Sequence, residues 1–428
     1  MQQLNLTRHI RLIAIALMSA FILFLCGAIA PILPTVGQSQ PDTFEQVWKT
    51  VNDNFFDPNF NGINWQEIHE KYRTQANQAR SKAELARIIN QMLSELRTSH
   101  THFYTSEEPE YYQILGIFLP RNPELQQQLK TVLPDNKPQY TGIGIFTKQW
   151  NGNTFISAIL DGSPASKAGL LVGDQLLRVE GQPFHPIQSF AGKANQPVKL
   201  LIQRSPIPSS QQEITVTPKI LDGTTMFLDA MKASVQVVEQ ARQKIGYVHL
   251  WSYAGEQYQK QLETELFYGR LKDTDTFVLD LREGWGGARA SYLNIYTPRN
   301  IRLTGTARNR TTPSTSSSAW SKPVVMLVNE ESRSGKEILA YGFRKYEIGT
   351  VVGAKTAGAV VQGNLFAMND GSVLYLAIAD VYLDENQRIE RVGVKPDIEV
   401  PFSLDYARGS DPQKERAIAV ALEAVNRW

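Results

Sequence analysis

A serine at the start of a helix is one way for a chain to aim a nucleophile, and Ser334 stands at such a place. It follows the apolar run Val324–Val328, which is short, β-branched and continuous, as suits a strand covered on both faces in an α/β sheet. After it Ile338, Leu339, Phe343 and Tyr346 recur at helical spacing, so a helix should begin at about residue 335. The hydroxyl then lies at the positive end of a helix, beside backbone N–H groups that have no intrahelical partner. That setting places a nucleophile next to an oxyanion hole. The same residues, Ser334-Gly335-Lys336-Glu337, also spell S-x-x-E, the capping box that opens ordinary helices. The rest of the chain has to decide between the two.

Three further segments bear on that choice. Asp280-Leu281-Arg282-Glu283-Gly284-Trp285-Gly286-Gly287 follows a buried strand and forms a glycine turn, either a plain tight turn or one that bares backbone N–H groups for an oxyanion. Ser99-His100 lies where alternation replaces the helical period, so His100 belongs to a loop or the start of a strand. An imidazole with its ordinary pKa of ~6.5 acts as a base near neutrality and can return the proton to a leaving amine. Glu390 sits in the compact loop of residues 390–397, where it is either a functional acid or solvated surface. His100 and His102 form an H-x-H pair, but no Cys/His cluster completes a metal site, so neither metal nor cofactor is expected. His69, His185 and His249 read as structural or exposed, and His9 belongs to the N-terminal segment.

The elements that must position these residues follow from composition and pattern. A chain of 428 residues suggests two to three domains, and Lys plus Arg at 44 against Asp plus Glu at 42 gives no reason to expect a nucleic acid partner. Cys26 is the only cysteine, which excludes a disulfide framework and a cysteine nucleophile. Arg8 and Arg11 precede a long apolar stretch from Leu12 to about Val36. Residues 1–36 therefore read as a signal peptide or membrane anchor, with residues 12–36 as the part in contact with a membrane. The expected location is extracytoplasmic, such as the periplasm. Residues 41–110 form a helical domain, with stripes at Phe44, Val47, Trp48 and Val51 and at Leu85, Ile88, Ile89, Met92, Leu93 and Leu96. Residues 111–140, with four prolines, read as a connector; residues 221–428 read as a larger α/β domain with strands near 245–250, 276–281 and 373–379. The Ser/Thr-rich stretch 311–318 reads as an exposed loop, and Asp411-Pro412 as a helix start.

Between them, residues 140–220 are β-rich and carry Gly142-Ile143-Gly144-Ile145, Gly162-Ser163-Pro164-Ala165 and Ala168-Gly169-Leu170-Leu171-Val172-Gly173-Asp174. This combination resembles a PDZ domain, which implies that Gly142, Ile143, Gly144 and Ile145 receive a peptide C-terminus by strand addition.

Taken together, residues 42–403 resemble the serine peptidase family of C-terminal processing peptidases and the tricorn protease core. The resemblance implies a multidomain α/β (α+β) chain with a ClpP/crotonase-like catalytic core and peptide or protein substrates with accessible C-termini. The C-terminal processing branch uses a lysine base, but the matching position here is Ala359, which leaves Lys355, four residues upstream, as the alternative base. The tricorn branch uses Ser-His and a late glutamate, matched by Ser99, His100 and Glu390. That pattern implies that Ser334 attacks, His100 takes its proton, and Ser99 with Glu390 orients the imidazole. Gly335 with Gly286 or Gly287 would hold the oxyanion. Gly284 departs from the family, which has asparagine there. Together with the missing lysine it also suits a catalytically inactive peptide-binding relative.

Overall fold

The computed structural model describes residues 39–133, 135–296, 301–307, 310–316 and 320–427. The expected leader or anchor over residues 1–36 lies outside them. Among the described residues no helix is long and apolar enough to cross a membrane.

The helices Ser39–Asn54, Trp65–Asn77 and Lys82–Ser94 follow the apolar stripes and begin, for the latter two, at polar caps. Asn64 accepts from the amides of Gln66 and Glu67, and Ser81 from that of Glu84, so donors that a helix start leaves open are satisfied. Phe44, Val47, Val51, Leu85, Ile88, Ile89, Met92, Leu93 and Leu96 are buried and close on Phe103, Leu374, Leu376 and Ala377. Each such side chain contributes roughly 1.5–3 kcal/mol by leaving water. The partners lie on a three-stranded sheet of His102–Tyr104, Val373–Asp380 and Val361–Ala367, with His102 opposite Tyr375. The helical domain and the segment bearing Ser99-His100 are thereby fixed to the larger α/β domain.

The expected connector is in fact structural. Helices Pro109–Phe118 and Pro123–Gln128 run through it and bury Tyr111, Gln113, Ile114, Leu115 and Leu125. Pro123, one of the four, and Pro109 just before the stretch occupy first turns, where a missing N–H costs nothing, so both start helices instead of breaking them.

The β-rich region is a six-stranded antiparallel sheet around Ile143, Ile156, Leu170, Leu176, Leu200 and Ile202. Its strand Ile145–Trp150 is an edge, and Gly142-Ile143-Gly144 leads into it. Gly144 has φ 77°, and a Cβ there would stand 2.5 Å from that of Ser163, so only glycine fits.

The core sheet runs in the order Gln236–Gln240, Gln243–His249, Thr276–Asp280, Val324–Val328, Thr350–Gly353, Ile398–Glu399. All neighbours after the first pair are parallel. Val324–Val328 is buried at every position, as its composition requires of a strand covered on both faces. Helix Pro412–Val425 covers one face, packing Ala417, Val420 and Ala421 on Ile245, Val278, Val325 and Val352. Its cap is Asp411, which accepts from the Lys414 amide. The stretch expected as a Ser/Thr loop is instead the strand Arg310–Ser316, paired with Ile301–Ala307 as a hairpin. Its threonines are β-branched and suit a strand as well as a loop.

Candidate active site

Ser334 sits between the strand Val324–Val328 and the helix Gly335–Lys345, with φ 58° and ψ −127°. An ordinary N-cap is extended, whereas this backbone is in a region that L residues rarely adopt. The surrounding turn holds it there. Ser332 Oγ donates to the Leu281 carbonyl at 2.9 Å and accepts from the Asn329 amide at 3.0 Å. The Ser334 amide donates to the Ala359 carbonyl at 2.9 Å and to Glu337 Oε2 at 3.1 Å. Glu337 is fully buried and also accepts from Thr356 Oγ1 (2.6 Å), Gly358 N (2.6 Å) and Ala359 N (2.7 Å). Burial pushes its carboxyl up, and these four donors oppose that. The S-x-x-E spacing is therefore more than a cap, because Glu337 ties the serine turn to segment 356–359.

His100 lies in a bend with φ 53°, just before the strand His102–Tyr104. Its Nδ1 is 3.0 Å from Ser99 Oγ, which donates to Glu390 Oε2 at 2.9 Å. Since that hydroxyl proton is committed to the carboxylate, Ser99 accepts from Nδ1–H, and Nε2 is left as the acceptor. Glu390 is 2 % exposed and also takes the amides of Ser99 at 2.9 Å and Val360 at 2.6 Å. It is no surface acid. The other side of the imidazole meets Tyr375, ring centroids 5.1 Å apart. Enclosure by protein, with the Arg333 guanidinium adding to it, brings His100 down to about 3, so the ring is neutral at neutral pH.

The glycine turn closes the site from below. A Cβ on Gly286 would be 2.5 Å from that of Ser334 and 3.1 Å from the Gly335 nitrogen, so this turn runs directly against Ser334. Gly287 has φ 96° and is equally tight against Ala254. Gly284 has φ 64°, and a Cβ there would lie 1.9 Å from the Trp251 carbonyl oxygen. An asparagine has no room at that position in this turn. Trp285 anchors the turn, its amide on the Trp251 carbonyl at 2.9 Å and its Nε1 on Gln113 at 2.9 Å.

A cleft of about 480 Å³ is lined by Ser99, His100, Gly286, Gly287, Ser334 and Tyr375, among others. The segments around residues 99, 286 and 334 thus meet in one cavity, with Glu390 behind Ser99. Ala359 lines the same cleft. Lys355 does not come to Ser334: it is exposed and borders a separate depression with Tyr341, Arg344 and Lys345. Gly142, Ile143, Gly144 and Ile145 line a small cavity of about 50 Å³ beside Phe184 and Phe190. His69 is buried against Glu45 at 2.8 Å, His249 is stacked on Trp251 at 3.8 Å, and His185 is exposed. Sequence reasoning passed over Lys336, Arg333, Tyr375 and Gln113. Of these only Lys336 carried a signal, a charge two positions into a helix whose start faces the core.

Residues 244–400 match the model of peptidase family S41, residues 38–94 that of the tricorn protease C1 domain, and residues 155–204 that of the PDZ domain. A carboxyl-terminal-processing protease of Synechocystis sp. is 26% identical over 391 residues, covering 86% of this chain and 82% of the relative. Tricorn protease homolog 1 of Streptomyces coelicolor is 25% identical over 405 residues, covering 89% of this chain and 35% of the relative. The chain thus spans about a third of that tricorn relative's length. Among solved structures, the photosystem II D1 C-terminal processing protease matches with TM-score 0.50 at 20% identity, covering 87% of this chain and 98% of the other. The tricorn protease matches with TM-score 0.51 at 19% identity, covering 90% of this chain and 37% of the other. A serine turn and a glycine turn thus meet in one cleft, and the chain is a serine peptidase whose residues 244–400 carry the peptidase family S41 domain, with tricorn C1 and PDZ domains ahead of it.

Proposed function

We propose that the chain is an exported endopeptidase that gathers polypeptide C-termini on its PDZ domain and cleaves with Ser334 as nucleophile and His100 as base. The observation that carries this reading is the run Glu390, Ser99, His100 opening into the cleft that holds Ser334, while Lys355 is exposed elsewhere. In the first step His100 Nε2 takes the Ser334 proton as Oγ attacks the scissile carbonyl. The resulting imidazolium is held by Ser99 Oγ, backed by the Glu390 carboxylate, and the oxyanion by the Gly335 amide with that of Gly286 or Gly287. His100 then protonates the leaving amine, and water, activated by the same ring, hydrolyses the acyl-enzyme. Export rests on the basic start and long apolar stretch of residues 1–36.

Steady-state cleavage of an unstructured polypeptide with an apolar C-terminus tests the assignment. Ser334→Ala and His100→Ala should each lower kcat by roughly 10⁴-fold or more, and Lys355→Ala by less than about twofold. Loss of activity in Lys355→Ala with His100→Ala unaffected would replace this mechanism with a serine–lysine pair.

A further inference from the structure

Lys336, the second residue of the nucleophile's helix, is fully buried. Its Nζ donates to main-chain carbonyls: Glu283 O at 2.6 Å, and Arg282 O and Trp251 O at 3.4 Å each. Burial brings the ammonium down to about 7, with Asp280 and Glu283 opposing that and Arg333 adding to it. An ammonium is costly to bury, and the hydrogen bonds of this one all go to main-chain carbonyls. It does not line the cleft, so it is not placed to take a proton from Ser334.

Its three acceptors belong to the glycine turn and to the strand end on which that turn rests. The Trp251 carbonyl also accepts from the Trp285 amide at 2.9 Å and lies against Gly284. On one side of Lys336 is Gly335, the proposed oxyanion donor from the helix; on the other are residues 282–283, which lead into Gly286 and Gly287. The two proposed oxyanion donors come from segments about 50 residues apart in the chain, and Lys336 joins those segments from within the helix, alongside Ser332 on the Leu281 carbonyl and Asn329 on the Glu283 side chain. It does so in a turn where the family's asparagine is replaced by Gly284.

Building on the reading of Ser334 as nucleophile, we propose that Lys336 is a positioning residue that sets the spacing of the two oxyanion donors. Lys336→Met keeps the length and removes every donor. In the full chain it should lower kcat roughly 10-fold or more, by analogy with loss of one oxyanion donor. KM should stay within about twofold, and affinity for a peptide aldehyde, which forms a tetrahedral oxyanion on serine, should fall by the same factor as kcat. A purely structural lysine would lower the unfolding temperature without that split. If Lys336→Met does not fold, Lys336→Gln, which keeps a donor, should fold with intermediate kcat and aldehyde affinity. A folded variant of either kind with wild-type kcat and aldehyde affinity overturns the proposal. Cleavage that survives Ser334→Ala would overturn the nucleophile reading and this inference with it, a result separable from any obtained at Lys336.

Discussion

His100 is held neutral far below the pH at which an exposed imidazole takes up a proton, because the cleft encloses it and Arg333 stands beside it. The consequence for stability has a definite sign. The unfolded chain binds this proton below about 6.5 and the folded chain only below about 3, so between those values the unfolded state holds more protons. Folding free energy contributed by this group is therefore full above 6.5 and is lost as pH falls toward 3. Denaturant titrations from pH 4 to 7 should show wild-type stability rising with pH more steeply than that of His100→Ala; equal slopes would contradict the enclosed, neutral ring. For the same reason the acid limb of kcat/KM in the free enzyme should lie below the ordinary histidine value that the sequence alone suggests. Glu390 gives a second prediction at this scale. Its two oxygens accept from three donors, the Ser99 amide, the Ser99 hydroxyl and the Val360 amide. Glu390→Gln turns an NH₂ toward at least one of them, which should cost about 1–3 kcal/mol of stability. Loss of the negative charge behind Ser99 should also lower kcat by roughly 10²–10⁴-fold. Calorimetry with single-substrate kinetics would check both, and an active, equally stable variant would remove Glu390 from the relay.

The catalytic arrangement depends on two turns, and their legibility in the sequence differs. The strand–serine–helix unit could be read from residues 324–346 because its β-branched run and helical period are local signals. The glycine turn could be located but not shaped. Gly284 looks like a decayed asparagine until its φ of 64° and the Trp251 oxygen leave no space for a side chain. Gly284→Ala should destabilise the chain by at least about 2 kcal/mol and weaken catalysis through Gly286, as measured by urea unfolding and kcat. A variant as stable as wild type would show that the turn can relax. The helices at Pro109–Phe118 and Pro123–Gln128 were hidden because proline marks both helix starts and breaks, and only packing distinguishes them. The role of Glu337 was hidden for another reason. Its acceptors' partners lie 19 to 22 residues onward, in a segment that folds back only in the tertiary structure.

At the scale of the molecule, residues 99–100 come to 334 and 390 because the core of the helical domain closes on strands of the α/β domain. The helical domain packs on the hairpin bearing Tyr375, and the PDZ domain packs on the catalytic sheet. In the second contact Phe146 stacks on Trp251 at 5.8 Å, Asp161 accepts from the Trp251 indole at 2.9 Å, and Lys148 pairs with Glu331 at 3.2 Å. The last of these reaches within three residues of Ser334, a proximity that no single segment of the sequence announces. The family resemblance supplied the list of residues to bring together; the long-range packing that assembles them is a property of the folded chain. The most direct test of the account is the covalent labelling of the full chain by a fluorophosphonate at pH 7, with the modified residue located by mass spectrometry. Labelling confined to Ser334, abolished in His100→Ala and unchanged in Lys355→Ala, is the predicted result, whereas label on another residue, or equal labelling rates with and without His100, would contradict it.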